Sequence, residues 1–206
     1  MNAKNSISRN LRRRLAAPCV LACVGFWLAC GPASAAENSN SKEYQVKAAY
    51  LYHFTEFINW PTNILTAPEA PIVIGILGED PFGVMLDELV SNAVVRGHPL
   101  VIKRLKPGDD LQNCQMLYIS HDAQAQMPAL LQKLKGSAVL TVGDSSGFAE
   151  QGGMVNFVIV EEKKVVDDKT IVQEKVKLEI NPEAAEQAGL QISSKLLKLA
   201  RIVKNN

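Results

Sequence analysis

Three consecutive residues, Ser120-His121-Asp122, carry the side chains of a serine-hydrolase triad. A triad needs its three groups to converge, with the histidine between the hydroxyl and the carboxylate. Because side chains that are neighbours along the chain diverge, we do not expect this run to act as a nucleophile. The other histidines, His53 and His98, show no spacing typical of metal ligands. These residue types therefore predict neither hydrolysis nor metal binding.

Two glycine-containing loops could hold a ligand. The first, GILGEDPFG, lacks the GxGxxG and GxxxxGK patterns, and its Glu79 and Asp80 would repel a phosphate, so we expect no cofactor there. The second, residues 143–153, follows an apolar run and could line a crevice at the carboxyl edge of a sheet. Tight turns that need glycine would explain this loop equally well. Its candidate ligand-binding residues are Gly143, Asp144, Gly152 and Gly153.

Residues 1–35 have the composition of a signal peptide. Arginines within positions 9–14 precede an apolar run from Leu15 to Cys30, and Ala33-Ser34-Ala35 fits a site for cleavage after Ala35. We therefore expect export across a bacterial inner membrane to the periplasm. An uncleaved anchor is one alternative. Lipidation is another, at Cys23 or Cys30, although in both cases the leucine lies one position too close to the cysteine for a lipoprotein site.

The net charge argues against a nucleic-acid binder. Removing residues 1–35 takes away five basic residues and no acidic ones, which leaves 17 basic against 21 acidic residues and a net charge of −4. Nucleic-acid binding would need a basic surface instead. The remaining length fits one domain, at residues 43–206, preceded by a Ser/Asn-rich linker at 36–42.

Cleavage leaves Cys114 as the single cysteine. An intramolecular disulfide is then impossible, so we expect a free thiol. Just before a predicted strand, Cys114 fits a small, buried apolar position. An intermolecular bridge and a reactive thiol are the alternatives.

Half of the aromatic residues lie within residues 44–60, just before Pro61. At 100° per residue, the apolar side chains of this stretch form an arc about 200° wide, interrupted by Lys47. This pattern predicts a helix that packs against a sheet and ends at Pro61, since the residue before a proline avoids the helical region. Tyr52 and Trp60 lie at the margin of the arc, where a partner could contact them.

Strand and helix patterns alternate through the rest of the chain. We predict helices at residues 80–92 and 125–135, the first with Asp80 as its N-cap, another from Asn181 to Gly189 and a last one from Ser193. In the final predicted strand, residues 176–180, Lys177 and Glu179 face outward, which is typical of an antiparallel strand at a sheet edge. Apolar runs predict the other strands, at residues 72–77, 100–105, 116–120, 138–142 and 155–160. The order predicts an α/β fold with a mostly parallel sheet and antiparallel edge strands near the C-terminus.

Several stretches together resemble the YfiR family, also described as DUF4154. They are KAAYLYHFTEFINWP, IVIGILGEDPFG, RGHPLVIKRL, NCQMLYIS, AVLTVGDSSGFAEQGGMVNFV and VKLEINPEAAEQAGLQISSKLLKLARIV, and they span residues 42–203. The resemblance implies a three-layer, Rossmann-like sandwich that tends to dimerise. It also implies a regulatory rather than a catalytic role. Studied members bind the periplasmic sensor region of an inner-membrane diguanylate cyclase and repress it, which lowers cyclic di-GMP and biofilm formation.

Two features depart from that family. Cys114 matches one of the cysteines that form disulfides in some relatives, but its partner is missing, so we do not expect redox control by an internal disulfide. The segment EEKKVVDDKTIVQE is longer than the family usually has, which predicts an extended hairpin.

Two functional hypotheses follow. The first is a non-catalytic periplasmic repressor of a membrane diguanylate cyclase, contacting it through Tyr52, Trp60, Lys177 and Glu179. The second is a periplasmic small-molecule sensor that acts with a histidine kinase and binds its ligand near residues 143–153.

Overall fold

The computed structural model describes residues 34–111, 113–166 and 169–204. Residues 1–33, which hold most of the predicted signal peptide, lie outside the described part. Among the described residues, no helix has the length and apolar character needed to cross a membrane.

Helices and strands alternate as expected. The helices are α1 Ser34–Phe57, α2 Val84–Val90, α3 Met127–Leu134, α4 Pro182–Gln187 and α5 Ser194–Leu197. The strands are β1 Ile58–Asn59, β2 Ile72–Leu77, β3 Val94–Val95, β4 His98–Leu105, β5 Met116–Ile119, β6 Leu140–Gly143, β7 Val155–Val166, β8 Lys169–Ile180, β9 Gln191–Ile192 and β10 Ala200–Ile202.

The central sheet has eight strands in the order β10-β8-β7-β6-β5-β2-β4-β3. The neighbouring strands β4, β2, β5, β6 and β7 all pair in parallel, whereas β7 and β8 pair antiparallel. This confirms the predicted fold class. One detail is wrong: the antiparallel pair does not form the edge, because β10 adds in parallel outside β8.

Apolar clusters cover both faces of the sheet and make three layers. Alternating residues of β2 explain how: Ile74 belongs to the cluster under α1 and α2, while Leu77 belongs to the cluster under α3. On the first face, Leu51 and Phe54 of α1 are fully buried. The continuous apolar run of β2 is therefore explained by burial on both sides.

The outer parts of β7 and β8 form a ribbon that we call the arm, Ile159–Val166 and Lys169–Val176. Each strand is twelve residues long. However, β6 pairs with β7 only at Val155 and Asn156, and β10 pairs with β8 only from Leu178 onward. Within the described residues, the arm strands thus pair only with each other. The segment that departs from the resembled family does extend a hairpin.

Several predicted boundaries were wrong. The helix predicted to start at Asp80 starts at Val84, because Gly83 has φ 54 and lies outside the helical region. The Asp80 carboxylate does accept from the backbone N–H groups of Phe82 and Gly83, as an N-cap would, but in a turn that precedes the helix. The aromatic helix ends at Phe57, after which β1 pairs with β9. At its other end the helix begins at Ser34, and the division into a linker at residues 36–42 and a domain from residue 43 stays a prediction.

The predicted C-terminal helix is also wrong. Only one turn, Ser194–Leu197, is helical, and Ala200–Ile202 form a strand. The apolar residues of this segment fit a helical spacing. However, the outer edge of β8 has backbone N–H and C=O groups that need hydrogen-bond partners, and residues 200–202 form a strand because they pair with this edge.

The Cys114 thiol should be inert in the native state. Its side chain is 1% exposed and lies in the cluster under α3, and burial raises its pKa. In a chain that starts at residue 36, we expect Ellman's reagent to modify Cys114 about a hundredfold more slowly than in urea. Cys114→Ser, which removes the signal, is the control. Equal rates in buffer and urea would contradict the burial.

Candidate functional site

A buried ion pair joins α1 to the carboxyl end of β6. The Lys47 ammonium lies 2.7 Å from Asp144 Oδ2 and 2.6 Å from Glu43 Oε1. The Lys47 side chain is only 3% exposed and that of Asp144 only 5%. Burial by itself lowers the pKa of Lys47, but the hydrogen bonds to Asp144 and Glu43 raise this pKa above its ordinary value. The charged form of Lys47 is therefore the stable one.

Two tyrosines complete what we call the Asp144 cluster: Glu43, Tyr44, Lys47, Tyr118 and Asp144. Tyr118, on β5, donates to Asp144 Oδ2 at 2.7 Å, and Tyr44 donates to the same oxygen at 3.4 Å. The Lys47 ammonium also lies 4.4 Å from the centroid of the Tyr44 ring. Burial, and next the charge of Asp144, raise the pKa of Tyr118 far above its ordinary value.

The cluster lies at a fork in the sheet. Strands β6 and β7 pair only through Val142 with Val155 and Gly143 with Asn156, and they part beyond those residues. Between them lies a cavity of about 380 Å³, which we call the fork cavity. Its lining includes Tyr44, Lys47, His121, Asp144, Ser146, Asn156 and Phe157. The fork cavity lies at the carboxyl end of β6, the edge where the sequence predicted a crevice, and ligand binding there stays a prediction.

Two buried side-chain oxygen atoms near this fork have no hydrogen-bond partner among the residues that the structure describes. They are Oδ1 of Asp144 and Oδ1 of Asn156. The Asn156 side chain is fully buried, and its amide nitrogen donates to Glu179 Oε2 at 3.0 Å. A buried acceptor without a partner costs roughly 1–3 kcal/mol. The two oxygens do not share a site, because Asp144 binds Lys47 on the α1 face of the sheet, whereas Asn156 is paired with Gly143, which faces Phe148 on the other side.

The glycines of the predicted ligand loop mainly make room for Phe148. A Cβ atom at Gly143 would lie 2.6 Å from the Phe148 ring, and one at Gly153 would lie 2.1 Å from it. Gly152 has φ +98, which favours glycine, and it lines a separate cavity beside α3. Of the four predicted loop residues, Asp144 is the one that lines the fork cavity.

The Ser120-His121-Asp122 run does not form a triad. Ser120 Oγ can donate its one proton either to the Leu77 carbonyl, at 2.9 Å, or directly to Asp122, and the histidine does not lie between them. The hydrogen bond from Ser120 lowers the pKa of Asp122. The exposed His121 lines the fork cavity instead.

The proposed partner contacts lie on separate elements. Tyr52 is half-buried on α1, and Trp60 is half-buried after β1, where its indole N–H donates to the Gln115 carbonyl at 2.9 Å. Lys177 is exposed on β8 and lies 3.0 Å from Glu162 of the neighbouring strand. A role for these three residues in partner binding stays a prediction.

Glu179 is not the outward-facing residue that the strand pattern predicted. Its residue exposure is 6%, and it binds Asn156 and Arg201. The reason is β10, which places Arg201 directly beside Glu179 at the sheet edge. A buried, paired carboxylate offers little to an outside partner.

A groove beside the arm was missed from the sequence. It has a volume of about 750 Å³ and lies between residues 42–46 of α1 and the arm. Its exposed aliphatic residues are Val46, Ile159 and Val172. We call it the arm groove. The only feature of the sequence that pointed to this groove was the spacing of apolar residues within EEKKVVDDKTIVQE. That spacing does not show that α1 lies opposite the arm.

The buried Tyr118 should make the protein sensitive to alkali. Its pKa is raised in the folded state, so its stabilising effect is complete below about pH 10, the ordinary tyrosine pKa, and is lost as the pH rises above it. Lys47, whose pKa is also raised, acts in the same direction. Urea unfolding should show a loss of about 1.4 kcal/mol per pH unit from Tyr118 above pH 10. Tyr118→Phe should reduce this slope, and Tyr52→Phe should keep it; an unchanged slope in Tyr118→Phe would refute the assignment.

Gly153 should tolerate no side chain while Phe148 is present. Because a Cβ atom would meet the Phe148 ring and its carbonyl oxygen, Gly153→Ala should lower the free energy of unfolding by about 1–3 kcal/mol. In a Phe148→Ala background the same change should cost clearly less, as a double-mutant cycle would measure. Equal costs in both backgrounds would show that packing against Phe148 is not the reason.

Comparison with known proteins identifies the family of the chain. The model of the DUF4154 family, described as YfiR/HmsC-like, matches residues 44–167 and 170–201. The interruption between these two stretches lies at the tip of the arm. No curated protein matches the chain. Since the family model covers most of the 206 residues, the chain belongs to the DUF4154, YfiR/HmsC-like family.

Proposed function

We propose that this protein is a non-catalytic periplasmic regulator that binds the sensor region of an inner-membrane signalling enzyme and represses it. The YfiR-like family is regulatory rather than catalytic, and it is consistent with control of a diguanylate cyclase. Under this proposal the partner is such a cyclase, and loss of the protein raises cyclic di-GMP and promotes biofilm.

The observation that carries the proposal is the arm with its groove. The arm extends beyond the paired part of the sheet, and several of its aliphatic residues are exposed, among them Val165 at 68% and Val172 at 53%. Exposed apolar residues gathered at one place mark interaction surfaces more often than scattered ones do. The free strand edges of the arm can also accept a strand from a partner.

Charged residues surround the apolar floor of the arm groove. Lys42 and Glu43 of α1 face Glu161, Glu174 and Lys175 of the arm around the same cavity. An apolar centre with a charged rim is the usual composition of a regulated protein–protein contact, because the rim steers encounter and the centre supplies affinity. The arm groove therefore fits a protein segment with aliphatic anchors.

The second candidate is a small-molecule sensor that acts with a histidine kinase. It is favoured by one observation, the fork cavity at the carboxyl end of β6, which is lined by the charged side chains of Lys47 and Asp144. Both functions can operate in one molecule, with ligand binding at the fork setting the strength of repression through α1, which lines both cavities.

Charge substitutions in the arm groove should relieve repression. Val172→Asp and Val46→Asp alter exposed side chains, so the fold should persist while an apolar anchor is lost. We expect roughly tenfold less membrane sensor to co-purify and a rise in cyclic di-GMP toward the level of a deletion strain. Val84→Asp changes an aliphatic residue that is 70% exposed outside the groove and should behave as wild type.

A deletion strain distinguishes a diguanylate cyclase partner from a histidine kinase partner. Unchanged cyclic di-GMP, with no membrane cyclase recovered on the wild-type protein, would refute the cyclase proposal. Recovery of a histidine kinase instead would support the second candidate.

A further inference from the structure

We propose that the arms of two copies of this protein pair antiparallel along β7, so that Glu161 of each copy lies opposite Lys163 of the other. The contact is between copies of this chain and depends on no membrane partner. Both charged residues fall within EEKKVVDDKTIVQE, the segment in which this chain departs from the resembled family.

The outer part of β7 has a free backbone edge. Within the described residues, β7 pairs with β6 only as far as Asn156, whereas its ladder with β8 continues to Val166. Alternate residues of an antiparallel strand direct their N–H and C=O groups away from the neighbour. The Ile180 carbonyl accepts from Val203 on the β10 side, so Val155, opposite Ile180, faces the β6 side. The arm residues that share this orientation are Ile159, Glu161, Lys163 and Val165.

The order of these residues along the edge is self-complementary. A two-fold dimer uses the same edge in both copies and places residues of one sheet face opposite each other. With the axis between the two Glu162 residues, Ile159 lies opposite Val165. In the same register, Glu161 lies opposite Lys163. Apolar residues then meet apolar ones, carboxylates meet ammonium groups, and the ladder gains about eight backbone hydrogen bonds.

The neighbouring registers bring like charges together along this edge. A shift by two residues places Glu161 opposite Glu161 in one direction and Lys163 opposite Lys163 in the other. Like charges directly opposite each other destabilise a ladder. The two central Glu162 carboxylates are different, because each binds Lys175 and Lys177 of its own chain. The charges of the edge therefore select the register centred on Glu162.

The second copy also adds residues to the arm groove. Glu161 lies opposite Glu174 in the ladder between β7 and β8, so two carboxylates adjoin on the side that lines the groove. Lys163 of the second copy brings a cation beside them. Ile159, which is 41% exposed, and Val165, which is 68% exposed, shield each other across the contact. The outer edge of β8 stays open to a membrane partner.

Sedimentation velocity of the chain from residue 36 to residue 206 tests the contact. We expect a reversible dimer with a Kd of roughly 1–100 µM, since one short ladder buries less area than a standard interface. Glu161→Lys and Lys163→Glu should each weaken dimerisation at least about tenfold, because like charges then meet. Mixed in equal amounts, the two variants should form a heterodimer of about wild-type affinity, since opposite charges face each other again.

Lys164→Glu is the matched control. It makes the same change of charge as Lys163→Glu, but Lys164 lies opposite Val160 in this register, so dimerisation should stay within about threefold of wild type. A wild-type chain that is monomeric at about 1 mM would overturn the proposal. A mixture of Glu161→Lys and Lys163→Glu that dimerises no better than either variant alone would overturn it as well.

Cysteine cross-linking reports the register independently of affinity. Glu162→Cys places two thiols directly opposite at the axis, where Cα atoms about 4.5 Å apart allow a disulfide. Lys163→Cys should not cross-link, because it lies opposite Glu161, and the native Cys114 is buried. Cross-linking at position 163 but not at position 162 would overturn the proposed register.

The dimer is separable from the repressor proposal. Dimerisation of the wild-type chain with unchanged cyclic di-GMP in the deletion strain would support the arm contact alone. Repression by a wild-type chain that stays monomeric would support the regulator and overturn the arm contact.

Discussion

The buried ion pair between Lys47 and Asp144 determines where the first helix lies on the sheet. Neither charge can be buried alone without a large free-energy cost, so the two must meet. The same placement of α1 puts Leu51 and Phe54 into the core beside Phe157. A rotation of the helix would expose the rings and leave an unpaired buried charge. Electrostatics and apolar packing thus specify one common arrangement.

Much of this fold could be predicted from local patterns. The continuous apolar run of β2 was sufficient to predict a buried strand, and the aromatic arc of α1 was sufficient to predict a helix. Each element buries the residues that its own strand or helix periodicity places on one side. The C-terminal segment was different. Leu196 and Val203 are buried as a helix would require, yet residues 200–202 form a strand, since the free edge of β8 lies nearby only in the folded chain.

The candidate site was less predictable, for the same physical reason. Lys47 was visible as an interruption of the apolar arc, but its partner lies 97 residues away in sequence. The alternation around Glu179 correctly showed which residues share a face of the strand, but it could not show that Arg201 and Asn156 cover that carboxylate. The glycines of the loop after β6 predicted turns or a ligand. The packing of Phe148 against two of them accounts for most of that signal.

The distance in sequence between Lys47 and Asp144 also has a consequence during biosynthesis. The chain is made from its N-terminus, so Lys47 of the aromatic helix is made 97 residues before Asp144, its partner across the sheet. At typical synthesis rates this interval is roughly 5–20 s, during which the rings of α1 have no sheet to cover them. The nascent chain therefore exposes the rings of this helix before the strands that bury them have been made.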